Sequence, residues 1–271
     1  MNDESEFRGC QLRTAVIIPT WRCNGSCEYC DYRYAADIHG GQLDAFGKEA
    51  RVGHELTVDE WVRTLKMLSV EFVEITGGEP TLRQDFPEVL KQLGVKWAIT
   101  SNTTLNVNPW LGMGIIDKCA GWAASLHEWT NRAQFKANVN SLLAYHAPVK
   151  ITVVLQKNNL SWSKKAVSWA KGQGWYVIAH PEYDEGQSWS DTDRQAAELV
   201  NADEVIDLWE WPKPELMNCK AGATYWAVGP DGRMYNCYFQ MLFREAASPP
   251  LCMSGCPFPC DKRYAQAIEE R

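Results

Sequence analysis

From residue 14 to about residue 185, short apolar runs alternate with stretches of helical spacing, which limits the chain to folds built from repeated βα units around a parallel sheet. The runs are TAVIIPT (14–20), EFVEIT (71–76), VKWAITS (95–101), GWAASLH (121–127), VKITVVL (149–155) and WYVIAH (175–180). Their near-continuous apolar character predicts strands buried on both faces. Between them, helical spacing and capping side chains predict helices over 57–68, 85–93, 131–145 and 161–172, with a short helix over 109–117. Six such units make an open, partial barrel. Chemistry in barrels of this kind gathers at the carboxyl ends of the strands.

The organisation that follows is a barrel over 12–190, a helical linker over 191–214 and a cysteine-rich tail over 215–271. Residues 31–56 have glycines, mixed charge and no clear period, and read as a long loop over the barrel mouth. The stretch DTDRQAAELVNADEVIDLW (191–209) has helical character, and the prolines of EWPKPE after it mark a boundary. No run is long and apolar enough to span a membrane, and the acidic, polar N-terminus does not resemble a secretory signal, so a cytoplasmic location is expected. The net charge of −7 gives no support to a broad nucleic-acid-binding face, although a local basic groove remains compatible with it. The thirteen tryptophans follow no repeat, which favours core and pocket walls over base-stacking platforms.

Ten cysteines are many for a reducing compartment unless they bind metal. Three of them, Cys23, Cys27 and Cys30, fall in CNGSCEYC directly after the first strand, and five more, Cys219, Cys237, Cys252, Cys256 and Cys260, lie in the tail. Cys10 and Cys119 stand apart as incidental or buried thiols. A loop leaving a strand end can curl three thiolates round one centre. An iron–sulfur cubane held by only three cysteines leaves one iron free. A closed zinc site is the alternative, and it would need a fourth ligand such as His39 or His54.

CNGSCEYC followed by ITGGEPTL (75–82) resembles the radical S-adenosylmethionine (radical SAM) superfamily, whose signature is CxxxCxΦC with an aromatic before the third cysteine, here Tyr29. The resemblance implies an α/β fold, a partial (βα)6 TIM-like barrel, with Cys23, Cys27 and Cys30 on a [4Fe–4S] cluster and S-adenosylmethionine chelating the open iron. It implies reductive cleavage to a 5′-deoxyadenosyl radical that abstracts hydrogen from a substrate, with flavodoxin or ferredoxin as electron donor. By the same resemblance Gly77 and Gly78 permit close backbone approach and the Glu79-Pro80 segment presents acceptors to the ligand's ammonium group, although a glycine pair can also be a tight turn. Ser101 and Asn102 correspond to a ribose contact and Ser125 to a contact with the amino acid moiety; Gln156 follows from strand order. A strand-end cap or turn is the alternative for each of these four.

In the tail, CKAGATYWAVGPDGRMYNC (219–237) resembles the opening of SPASM and Twitch extensions, and alternating bulky residues around Pro-Asp-Gly independently predict a β-hairpin. Five cysteines suffice for one more cubane. The expectation is a small Twitch-like β-hairpin and helix extension holding one auxiliary [4Fe–4S] cluster, with Cys219, Cys237, Cys256 and Cys260 preferred and Cys252 spare. A zinc knuckle is the alternative. His127, Glu128, His180, Glu182, Tyr183 and Asp184 stand at or after strand ends and are candidate substrate contacts. The expected substrate is a small molecule, a nucleotide-linked group or a peptide, since no N-terminal segment is long enough for the leader-recognition domain of many peptide-modifying relatives. A peptide- or protein-modifying maturase and a non-catalytic metal-binding or redox-sensing protein are the competing readings.

Overall fold

The computed structural model describes residues 13–30, 54–112, 114–182, 189–205, 225–236 and 241. Six strands appear where the apolar runs predict them: β1 Thr14–Ile17, β2 Phe72–Ile75, β3 Lys96–Ser101, β4 Cys119–Leu126, β5 Val149–Leu155 and β6 Val177–Pro181. All are parallel, in the spatial order β6-β5-β4-β3-β2-β1. Between them run α1 Val58–Met67, α2 Phe86–Leu93, α3 Asn108–Gly112, α4 Arg132–Ala144 and α5 Leu160–Lys171. Thr57 begins α1 with a capping box to Glu60, and Asn131 caps α4 by accepting from the amides of Ala133 and Gln134. The result is an α/β fold whose sheet does not close on itself among the described residues, as in a partial barrel.

Two findings correct the sequence reading. The helix expected over 191–209 stops early: α6 covers Asp191–Glu198, and β7, Glu204–Val205, pairs in parallel with β6 at the sheet edge. Asn201 takes a left-handed conformation, φ 63°, just past the helix end, the position where a chain leaves a helix. The stretch expected to form one helix over 109–117 instead divides into α3 and a 3-10 turn at Ile116–Lys118. The hairpin of the tail is present, as β8 Tyr225–Val228 and β9 Met234–Tyr235, but its first strand lies parallel to β1 and extends the barrel sheet. Gly232, with φ +79°, completes the turn, and a Cβ there would lie 3.1 Å from Leu56 Cδ1. The five tail cysteines, Cys10, His39 and most of the loop over 31–56 lie outside the described residues.

On β5, Ile151, Val153 and Leu155 are buried while Lys150, Thr152 and Val154 are partly open, so one face packs on helices and the other lines the inside of the sheet. The packed side carries an aromatic core. Trp61, Phe86, Trp97, Trp110 and Trp122 are fully buried, and Trp110 lies 5.9 Å from both Trp97 and Trp122, centroid to centroid. The tryptophans of this group are therefore core, as their scatter implies. No described helix is long and apolar enough to cross a membrane. Replacing Trp110 by Ala removes the centre of the cluster, and urea unfolding is expected to show a loss of about 3–5 kcal/mol.

Candidate functional site

Because the strands are parallel, the segments leaving β1 to β5 meet along one edge of the sheet. Ile18 continues the β1 line by donating to Val228 O at 3.0 Å, and the chain then turns through Pro19–Trp21 into the cysteine loop. Cys23, Cys27 and Cys30 are all partly exposed on that loop. The Gly25 amide donates to Cys23 Sγ at 3.3 Å, and the Cys30 amide to Cys27 O at 3.4 Å. Burial, with the Glu79 charge and the two neighbouring thiols, pushes the Cys23 thiol up to about 12. Mutual repulsion of this kind is what a cationic centre relieves.

The donor set fits a cubane. Among the described residues no three His, Cys, Asp or Glu side chains group closely enough to hold one metal ion. Three soft thiol donors within eight residues of one loop are the ligand chemistry of an iron–sulfur cluster, in which each thiolate binds its own iron. His54, the zinc alternative's candidate among described residues, is exposed and lies 3.4 Å from Glu60, at the start of α1.

The GGEP segment holds this loop through its backbone. Gly78 N donates to Thr20 O at 3.1 Å and Glu79 N to Arg22 O at 2.7 Å. A Cβ on Gly78 would lie 2.1 Å from Arg22 O, and one on Gly77, at φ +127°, 2.6 Å from Ile18 Cγ2. The glycine pair thus permits close approach between the GGEP segment and the chain leaving β1. Glu79 is fully buried. Its carboxylate accepts from Thr81 N at 2.9 Å, Thr81 Oγ1 at 2.5 Å, Ser101 Oγ at 2.8 Å and Asn102 N at 2.7 Å. Burial raises its pKa while these four donors oppose the shift.

Asn102 and Asn24 form a second tie: Asn102 Nδ2 donates to Asn24 Oδ1 at 2.7 Å, and Asn24 Nδ2 to Thr104 Oγ1 at 2.8 Å, which itself donates back to Asn102 Oδ1 at 2.6 Å. A third tie runs through charge. Glu55 accepts from Thr20 Oγ1 at 2.5 Å and pairs with Arg22 at 3.1 Å. Arg83 donates to Pro19 O at 3.1 Å and Leu56 O at 2.9 Å while forking onto Asp85 at 2.8 and 2.9 Å. The guanidinium holds the Asp85 carboxyl below its usual range.

From the far side, Tyr29 and His127 meet at 2.7 Å, hydroxyl to Nδ1, and Trp129 Nε1 donates to Cys27 Sγ at 3.2 Å. Burial, assisted by His180, lowers His127 to about 4. Ser125 shares a hydrogen bond with Thr152 across strands at 2.9 Å, and Gln156 follows β5 in step with its open face. Of the other candidates, Glu182 accepts from Lys157 N at 2.8 Å, and Glu128 is exposed and accepts from Asn159. His180 lies on β6; Tyr183 and Asp184 are outside the described residues. Cys119 is buried at the start of β4, at the opposite end of that strand from Ser125.

Residues 17–118 match the radical SAM superfamily. Curated relatives include the probable GTP 3',8-cyclase of Pyrococcus horikoshii, 35% identical over 88 residues that cover 31% of this chain and 25% of that protein. The GTP 3',8-cyclase of Aquifex aeolicus is 31% identical over 96 residues, 34% of this chain and 28% of the relative. The matches thus span about a quarter of these relatives' length. Among solved structures, Streptococcus suis SuiB bound to precursor peptide SuiA aligns over 88% of this chain and 61% of its own, at TM-score 0.55 and 17% identity. Native anSMEcpe with bound AdoMet aligns over 83% of this chain and 74% of its own, at TM-score 0.56 and 14% identity. These two likenesses establish the fold.

Sequence reasoning missed Asn24, Gly25, Glu55, Arg83, Thr104 and Trp129. Asn24 and Gly25 lie inside the motif, but their partners Thr104 and Trp129 stand 80 and 104 positions away, and no spacing rule joins them. Two outcomes follow. Gly78→Ala, with backbone on the far side of the contact, is expected to keep the far-ultraviolet circular dichroism of the parent while losing up to about half of the iron and sulfide bound after anaerobic reconstitution, the share of this loop beside a second cubane in the tail. Arg83→Met is expected to cost on the order of 3 kcal/mol in urea unfolding. Because Asp85 is held low, the paired contribution is present above its unfolded pKa of about 3.9 and is lost as pH falls below it, so the gap between Arg83→Met and parent should narrow in acid.

Proposed function

We propose that the protein is a radical SAM enzyme that reductively cleaves S-adenosylmethionine and removes hydrogen from a substrate C–H bond. The observation that carries this reading is the convergence, at one sheet edge, of three thiols on the β1 loop with the GGEP segment clamped against that loop's backbone. When bound, a [4Fe–4S] cluster on Cys23, Cys27 and Cys30 with S-adenosylmethionine on its open iron supplies a 5′-deoxyadenosyl radical.

This chain's own residues do the holding. Three protein donors converge on Glu79 Oε1 and a fourth, the Asn102 amide, reaches Oε2, so the carboxylate fixes the ends of β2 and β3. Acceptors for the ligand's ammonium group come from the Glu79-Pro80 segment. Ser101 and Asn102 are held by the same carboxylate, with Asn102 turned toward the cysteine loop, and Ser125 and Gln156, at the ends of β4 and β5, are further proposed contacts for S-adenosylmethionine. A second cubane on four of the five tail cysteines remains part of the proposal, and it is supported by the docking of the tail hairpin beside β1.

The names of the relatives indicate where to look for substrate: GTP in the cyclases and a precursor peptide in the complex with SuiB. A nucleotide-linked small molecule and a peptide are therefore the first two classes to assay, and a reduced flavodoxin or ferredoxin is the donor to supply. Anaerobically reconstituted protein, reduced in the presence of S-adenosylmethionine, is expected to release 5′-deoxyadenosine. Cys27→Ala is expected to abolish release while retaining the tail's iron. Absence of cleavage by a fully loaded, reducible parent overturns the reading.

A further inference from the structure

One contact at the site is not needed to bind four irons or S-adenosylmethionine. Trp129, three residues past the end of β4, directs its indole N–H at Cys27 Sγ, 3.2 Å away. The ring is fixed on two sides. It stacks on His127 with centroids 5.2 Å apart and planes 7° from parallel, and it covers Gly25, where a Cβ would lie 2.3 Å from Trp129 Cζ2. His127 is in turn held by the Tyr29 hydroxyl and by the hydrogen bond between its own backbone N–H and Thr130 Oγ1 at 3.0 Å. The indole is thus locked with its single donor on one ligand sulfur, in a partly buried setting where that dipole is poorly screened.

Resting on the radical SAM reading above, the geometry points to Trp129 as a positioning residue that raises the reduction potential of the cluster by hydrogen-bonding the Cys27 thiolate. Adding an electron to a cubane increases the negative charge on its sulfurs. A donor already aimed at one of them stabilises the reduced state more than the oxidised one, and hydrogen bonds to sulfur are among the determinants of cluster potential. Trp129→Phe keeps an aromatic ring on the His127 side and deletes the N–H together with the part of the bicyclic ring that covers Gly25. Removing one charge-assisted hydrogen bond of this kind is expected to lower the ratio of reduced to oxidised cluster at a fixed potential by about five- to tenfold, tenfold being about 59 mV for a one-electron couple.

The test is a redox titration of reconstituted parent and Trp129→Phe, followed by the electron paramagnetic resonance signal of the reduced cluster that changes when S-adenosylmethionine is added. That criterion separates the signal from any cluster in the tail. Equal iron content with a lowered potential supports the inference, and an unchanged potential at equal iron content overturns it. Should the variant not load, parent protein carrying tryptophan labelled with nitrogen-15 at the indole decides: electron–nuclear double resonance must show a nitrogen coupling to the same signal, and its absence overturns the inference. A parent with no signal responsive to S-adenosylmethionine overturns the functional reading as well, whereas the other failures leave that reading intact.

Discussion

The buried carboxylate of Glu79 is the constraint on which the rest of the site depends. A carboxylate removed from water is costly unless it is fully hydrogen-bonded, and here four donors from Thr81, Ser101 and Asn102 answer it. Those donors belong to the segments after β2 and β3, and the amide of Glu79 itself reaches Arg22 on the segment after β1. One residue therefore ties three strand ends into a fixed rim. The cysteine loop is attached to that rim, and its position follows from Glu79 more than from the cysteines.

The remaining ties act from other directions, and each uses a different kind of force. Arg83 and Glu55 hold the start of the cysteine loop by charge, and Arg83 also fastens Leu56, against which the hairpin turn at Gly232 packs. Asn24, Asn102 and Thr104 close a small cycle of neutral hydrogen bonds. His127 and Trp129 contribute flat aromatic contact from the β4 side. Three thiols on a glycine-containing loop would otherwise sample many arrangements, and ordering them before metal arrives reduces the entropic cost of binding.

Much of the fold was legible because its signals are local. Buried parallel strands must be apolar over several residues, and caps such as Thr57 and Asn131 announce helix starts, so six strands and four helices lie within a residue or two of expectation at most ends. The overlong helix at 191–209 came from following apolar spacing past Asn201, whose left-handed backbone ends the pattern. Long-range geometry was less legible. The hairpin could be read from Pro-Asp-Gly, but its parallel seat beside β1 could not, because either edge of an open sheet can accept a strand. At the site, the strand run over 95–101 shows that Ser101 and Asn102 stand at the end of β3, while the partnership of Cys27 with Trp129, separated by 102 positions, exists only in the folded chain.

The central claim is that Cys23, Cys27 and Cys30 hold a cubane whose fourth iron is open to S-adenosylmethionine. Electron–nuclear double resonance on the reduced, reconstituted protein tests it most directly, using S-adenosylmethionine labelled with nitrogen-15 in its amino group and oxygen-17 in its carboxylate. The account predicts that both labels couple to the cluster. A cluster signal that shows neither coupling, with the ligand present at saturating concentration, would contradict it.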